Sequence, residues 1–216
     1  YDVIPQEQRG KSIDLMSNET QRLIRLVNEN LDYEKIRSNS IRLEKRHFNA
    51  TKVLSSIVEQ LGSKASESKD RFEIQAPDDL PIYADYDRFV QIVFNITNNA
   101  IQFTDSGTIT LIGERGYNET IIRIKDTGIG MTKEQQKNIF ERYYKADASR
   151  RARKYGESGL GLAIVHQLVQ QHGGKISVAS KPHKGTTFTV IIPDQTDAEK
   201  KAAENNKRKS SERTDV

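Results

Sequence analysis

Apolar positions recur along this chain at two periods. Between residues 11 and 36, Ile13, Met16, Thr20, Leu23, Val27 and Leu31 follow at spacings of three and four with charged residues between them, which predicts a coiled-coil or bundle helix. Leu15, Ile24 and Leu26 widen the stripe beyond a two-helix seam, so this helix is expected to pack against more than one partner. Pro5 and Gly10 mark a loop before it, as in the second arm of a helical hairpin. The periodicity lapses across 37–49. A helix is expected over about 50–66, with Val53, Leu54, Ile57, Val58 and Leu61 on one side, then short strands at 72–75 and 81–84 flanking a Pro-Asp-Asp turn. A helix over 85–103 follows, then strands at 108–114 and 120–126 joined by Arg115-Gly116-Tyr117-Asn118, and a short helix near 132–140. The stretch with Lys145, Arg150, Arg151, Arg153 and Lys154 has no apolar period and reads as a lid or a mobile loop. The last helix, 159–172, stops at His172-Gly173-Gly174 before strands at 175–179 and 186–192.

Because the strands come in adjacent pairs between helices, the expected fold is α+β, a two-layer α/β sandwich preceded by a long bundle helix. The expected units are residues 1–45, 46–193 and a disordered charged tail over 194–216.

Composition narrows this picture rather than redirecting it. The net charge of +4 is accounted for by solvated helix faces and the tail, and no zinc-finger spacing or aromatic-interleaved basic stripe points to nucleic acid. The absence of cysteine excludes disulfides and thiolate catalysis. No apolar run approaches the ~20 residues of a membrane span, so these residues are expected to be soluble and cytoplasmic. The chain opens on Tyr1 rather than Met and is expected to be a piece of something longer.

Three blocks carry candidate chemistry. Gly156, Gly159 and Gly161 stand at the entrance of an apolar helix, either a tight turn or a loop whose N–H groups meet an anion at the positive end of the helix dipole. On the 85–103 helix, Asn95, Asn99 and Gln102 fall within an arc of roughly 60° beside the apolar face. Asparagine is a poor mid-helix residue, and amide oxygens suit hard cations such as Mg2+, although exposed asparagines would give the same pattern. Asp126 shares a strand face with Ile122 and Ile124, so its carboxylate is expected on the buried side, in need of a donor. A purine amine would supply one, with Gly128 and Gly130 letting a flat base approach the backbone; a capped turn is the plainer alternative.

In this order the blocks resemble the ATP-binding domain of bacterial sensor histidine kinases, within the wider GHKL superfamily with the Bergerat fold. The resemblance covers roughly residues 50–193. NITNNAIQFT (95–104) is similar to the N box, DTGIGM (126–131) to G1, IFERYYKAD (139–147) to the F box, GESGLGLAI (156–164) to G2, and GTTF (185–188) to the last glycine-threonine motif. It implies a mixed sheet covered on one face by helices, and ATP and Mg2+ as ligands. Asn99, assisted by Asn95, would bind Mg2+, Asp126 would accept from the adenine amine, and Phe103 would pack near the base. Lys145 and Arg150 would reach the terminal phosphates from the lid. The backbone of Gly159, Leu160, Gly161 and Leu162 would cradle the phosphates, and Thr187 would lie on the floor near the adenine. The resemblance also implies that residues 1–45 hold the second helix of a dimerisation and phosphotransfer hairpin, a homodimer built through it, and a response-regulator receiver domain as partner. The parent protein would be a membrane-anchored sensor.

The sequence departs from the family at Gln102, where a cation usually contacts nucleotide, and at Glu157, where a glycine is usual. None of His47, His166, His172 and His183 has the context of the phosphoacceptor: His47 falls in the linker, His166 and His172 read as surface or cap residues, and His183 as a turn residue. The fragment is therefore expected to hold ATP while the accepting histidine lies elsewhere. Superfamily hydrolases carry a glutamate base where this chain has Asn95, and an amide cannot take a proton from water, which argues for a kinase over an ATPase. An anti-sigma-type serine kinase and a degenerate ATP-binding scaffold are the other readings.

Overall fold

In the computed structural model, which describes residues 6–38, 42–145 and 158–195, the chain opens on a 32-residue helix, α1 (Gln6–Arg37). β1 (Lys45–Asn49) follows and runs straight into α2 (Ala50–Glu67), where Asn49 Oδ1 accepts the Thr51 N–H as N-cap. After β2 (Arg71–Gln75) and β3 (Pro81–Asp85), Asp85 caps α3 (Tyr86–Phe103) by accepting the Arg88 N–H on Oδ1, while its Oδ2 accepts the N–H of Glu44. One carboxylate thus starts the helix that carries the asparagines and ties it to the chain arriving from α1. The remaining elements are β4 (Thr108–Gly116), β5 (Glu119–Asp126), α4 (Lys133–Asn138), α5 (Gly161–Gln171), β6 (Lys175–Ser180) and β7 (Thr186–Pro193).

The main sheet has the order β2-β4-β5-β7-β6, with β2 parallel to β4 and every other pair antiparallel. Alternation sorts its faces: Ile122 and Ile124 on β5 and Phe188, Val190 and Ile192 on β7 are buried. They form one core with the apolar faces of the helices, including Leu54 and Ile57 on α2, Phe89, Ile92 and Ile96 on α3, and Leu168 on α5. This is the mixed-sheet α+β sandwich expected.

Two expectations on the strands are corrected. β2 and β3 do not pair with each other: β2 lies parallel to β4 across a crossover that contains α3, while β3 pairs antiparallel with β1 in a separate ribbon. β1 itself was expected to be linker. Its sequence, Lys-Arg-His-Phe-Asn, offers too few apolar positions for a period, and the strand exists because β3 presents a partner.

The last turns of α1 belong to the same core. Tyr33 and Ile36 are buried, and Gln171 Nε2 donates to the Ile36 carbonyl at 2.6 Å. Farther up α1 the predicted stripe is exposed, with Ile13, Met16, Leu23, Val27 and Leu31 all more than half accessible. Among the described residues no helix is long and apolar enough to cross a membrane. The predicted disordered tail lies outside the described residues from residue 196 onward. Its first residue, Asp194, is ion-paired with Arg115.

Candidate functional site

One face of α3 forms a wall of carboxamides. Asn95, Asn98, Asn99 and Gln102, with Phe103, line a cavity of about 170 Å3 that Ser158, Gly159, Gly161 and Leu162 also line. Met131, Ile139, Tyr144 and Lys145 also line it, as does Glu29 of α1. The helical repeat places Asn95, Asn99 and Gln102 at i, i+4 and i+7, on one side next to the buried apolar stripe. Asn95 Nδ2 donates to the Gly161 carbonyl at 3.4 Å, so the amide wall is tied directly to the start of α5. The Nζ of Lys64 on α2 donates to Asn98 Oδ1. Gln102 is 4% exposed, and its Oε1 is buried without a hydrogen-bond partner.

α5 begins without a side-chain cap. Leu160 occupies the N-cap position, its side chain is buried in the core, and its N–H goes to Ser158 Oγ at 3.0 Å. The first turn of α5, at Gly161 and Leu162, lines the cavity at the positive end of the helix dipole with no side-chain cap. Gly159 has φ +74°, and a Cβ there would lie 2.9 Å from the Tyr143 backbone. Its carbonyl accepts the Tyr143 N–H at 3.0 Å, clasping the glycine loop to the 139–145 segment.

Asp126 ends β5 on the buried side. Its Oδ1 accepts the N–H groups of Gly128 at 2.9 Å and Thr186 at 3.1 Å. Burial pushes its carboxyl up to about 6, and the two backbone hydrogen bonds pull it only part of the way back. Glycine is sterically required around it: a Cβ on Gly128 would stand 2.1 Å from the Phe103 carbonyl oxygen. The Ile129 N–H also bonds that carbonyl, so the Asp126 loop adjoins the amide-lined cavity through Phe103 without itself lining it. The donor expected from a ligand is thus partly supplied by backbone.

Three expectations about single residues change. Thr187 pairs with Lys125, on the sheet face opposite Asp126, and Thr186 is the residue beside the carboxylate, with its Oγ1 3.0 Å from Ser180 Oγ. Strict alternation on β7 makes this a one-residue shift. Of the surface and cap readings of His172 the cap holds, since it is the C-cap of α5, but it is buried: its Nδ1 lies 2.7 Å from the Leu168 carbonyl and its Nε2 accepts the Asp85 N–H at 3.1 Å. His47 sits in β1, its ring 4.9 Å from that of Tyr83. Lys145 lines the cavity, whereas Arg150, Gly156 and Glu157 lie outside the described residues. Glu29 had no signal in the sequence, because only the docking of α1 brings it to the site; Tyr143 lay in the F box, but nothing there marked its contact with Asn30 of α1.

The donors present define what the cavity can hold. Among the described residues no group of three His, Cys, Asp or Glu is placed to bind a metal. A cation here would rest on amide oxygens and on the ligand's own oxygens, the environment that suits Mg2+. The unpartnered oxygen of Gln102 is an acceptor in that wall still to be satisfied, so the residues fit a hard cation. A larger groove of about 560 Å3, bounded by His47, Tyr83, Arg115 and Asn118, contains none of these features, and the charge of Arg115 is already taken by Asp194.

Residues 84–196 match the family of histidine kinase-, DNA gyrase B- and HSP90-like ATPases, a match over more than half of the 216 residues. The chain belongs to this family. Within the family, the sensor histidine kinase YclK of Bacillus subtilis is 50% identical over 191 residues, which are 88% of this chain and 40% of that protein. The chain thus spans less than half the length of this relative. The structure of full-length ShkA in complex with AMPPNP superposes with a TM-score of 0.77 at 26% identity, over 90% of this chain and 40% of that one. The histidine kinase ThkA in complex with the response regulator TrrA gives a TM-score of 0.70 at 25% identity, over 89% and 53%. The resemblance to sensor histidine kinases read from the five sequence motifs is borne out.

Proposed function

We propose that this chain is the nucleotide-holding part of a sensor histidine kinase, which presents the γ-phosphate of ATP to a histidine on a separate hairpin domain for onward transfer to a response-regulator receiver domain. The observation that carries the reading is the meeting, in one cavity, of the α3 carboxamides with the uncapped, glycine-preceded N-terminus of α5. Asp126 accepts from the adenine amine, with Phe103, Gly128 and Gly130 against the base and Thr186 in the place first assigned to Thr187. Asn99 and Asn95 hold Mg2+, with Gln102 beside them, and bound Mg2+ neutralises phosphate charge. Lys145 and Arg150 face the terminal phosphates, and the backbone from Gly159 to Leu162 cradles them.

The chemistry left to the chain is positioning and charge stabilisation. The imidazole nitrogen of the accepting histidine attacks the γ-phosphorus, the bond from that phosphorus to the β–γ bridging oxygen breaks, and ADP leaves. Asn95 has no proton-accepting carboxylate and is engaged with Gly161, which favours transfer to a protein nucleophile over activation of water. The exposed stripe of α1 fits the second arm of a dimerisation hairpin over residues 1–45, and the parent is read as a membrane-anchored sensor whose cytoplasmic part includes this chain. Asn99→Ala and Asp126→Ala are each expected to abolish binding of AMPPNP by calorimetry, and to abolish labelling from γ-labelled ATP of a histidine-bearing hairpin domain supplied in trans. Wild-type affinity in both variants would overturn the assignment.

A further inference from the structure

Glu29 places a carboxylate from α1 in the wall of the cavity that holds Asn95, Asn99 and Gln102. It is there because α1 is docked on the segment that clasps the glycine loop. Glu34 pairs with Arg142 at 2.9 Å, the Arg142 guanidinium lies 4.5 Å from the centre of the Tyr33 ring, and Tyr143 Oη donates to Asn30 Oδ1 at 3.2 Å. Tyr143 is also the residue whose N–H bonds Gly159. One short segment is thus gripped by α1 through its side chains and by the glycine loop through its backbone. Among the described residues lining the cavity, the charged side chains are Glu29 and Lys145, and their charges cancel. A carboxylate within a few ångströms of phosphate oxygens repels each of them, and the repulsion grows with every added phosphate.

We infer that Glu29 is an anionic selectivity residue, which, while α1 is docked, sets the cavity against nucleotides in proportion to their phosphate number, so that release of α1 favours the triphosphate. The inference rests on the nucleotide reading above. It is tested by calorimetry on the whole 216-residue chain with adenosine, ADP and AMPPNP, comparing wild type with Glu29→Gln. A second pair carries Arg142→Met and Tyr143→Phe, which remove the side-chain contacts of α1 with the 139–145 segment and leave the Tyr143 backbone clasp and the burial of Tyr33 and Ile36 in place. Glu29→Gln should tighten AMPPNP by about three- to tenfold, ADP by less, and adenosine not at all. The gain should shrink at high salt and shrink again in the Arg142→Met/Tyr143→Phe background, where α1 is held less firmly against the 139–145 segment. AMPPNP affinity within twofold of wild type in Glu29→Gln, or an equal change for adenosine, overturns the role of Glu29 and leaves the nucleotide site intact. Failure of the wild-type chain to bind either nucleotide instead overturns the site itself.

Discussion

Asp126 is a buried carboxyl whose hydrogen bonds from Gly128 and Thr186 both arrive on one oxygen, and its titration near 6 follows from that environment. The ordinary value is 3.8, so between about 4 and 6 the unfolded chain gives up this proton before the native protein does. Burial of the ionised group therefore costs stability above pH 6, and the cost is relieved as pH falls towards 4. The proposed acceptance of an adenine amine by Asp126 would draw on the ionised form and has the opposite sense: on that proposal ADP affinity should be flat above pH 6 and weaken as pH falls through 6. Titrations from pH 5 to 8 should show this step in the wild type and lose it in Asp126→Asn; the same slope in both proteins would assign the step elsewhere. At this scale the sequence was legible where alternation determined a face, since Ile122, Ile124 and Asp126 do share the buried side. It was silent on which threonine of Thr186-Thr187 stands beside Asp126, because the register on β7 is decided by the pairing with β5.

Elements meet at His172. The Leu168 carbonyl can only accept and the Asp85 N–H can only donate, so the ring is the neutral tautomer with its proton on Nδ1, joining the end of α5 to the start of α3. Burial is the largest cause lowering its pKa and nearby Lys45 adds to it, against the Leu168 hydrogen bond and Asp85, which act the other way. The sign follows from linkage: the unfolded chain protonates first, so the stability held by the neutral ring is complete above about pH 6.5 and is lost progressively below it. His172→Phe keeps the bulk but strands the Asp85 N–H, at about 1–3 kcal/mol. Thermal melts should show a lower Tm at pH 7.5 and a shallower decline from pH 6.5 to 5 than in the wild type. A variant as stable as the wild type would show that the helices do not depend on this ring. The helices themselves were readable because their periods are long and Asp85 and Asn49 cap them. His172 is the cap that the sequence allowed, but its burial was not legible, because a His-Gly-Gly stop marks where a helix ends and not what the ending packs against.

Across the whole molecule, α1 is two things in one helix. Its last turns bury Tyr33 and Ile36 against the nucleotide domain, while Ile13, Met16, Leu23, Val27 and Leu31 stay open to solvent. An apolar stripe of that length is expected to draw a second copy or a hairpin partner. Sedimentation equilibrium should therefore show concentration-dependent self-association of the chain, weakened when Leu23 and Val27 are changed to Lys. A strictly monomeric wild type at high concentration would remove the dimer from the proposal. The sequence by itself determined the helices, most strands of the sandwich, the order of the motifs and the family. Those properties follow from local periodicity, capping and glycine placement, which act over a few residues. Only the tertiary structure decided the parallel pairing of β2 with β4, the placing of Thr186 beside Asp126, the burial of His172 and the position of Glu29 at the cavity. Each of these depends on which distant segment supplies the neighbouring backbone or charge, and that is settled by packing of the whole chain.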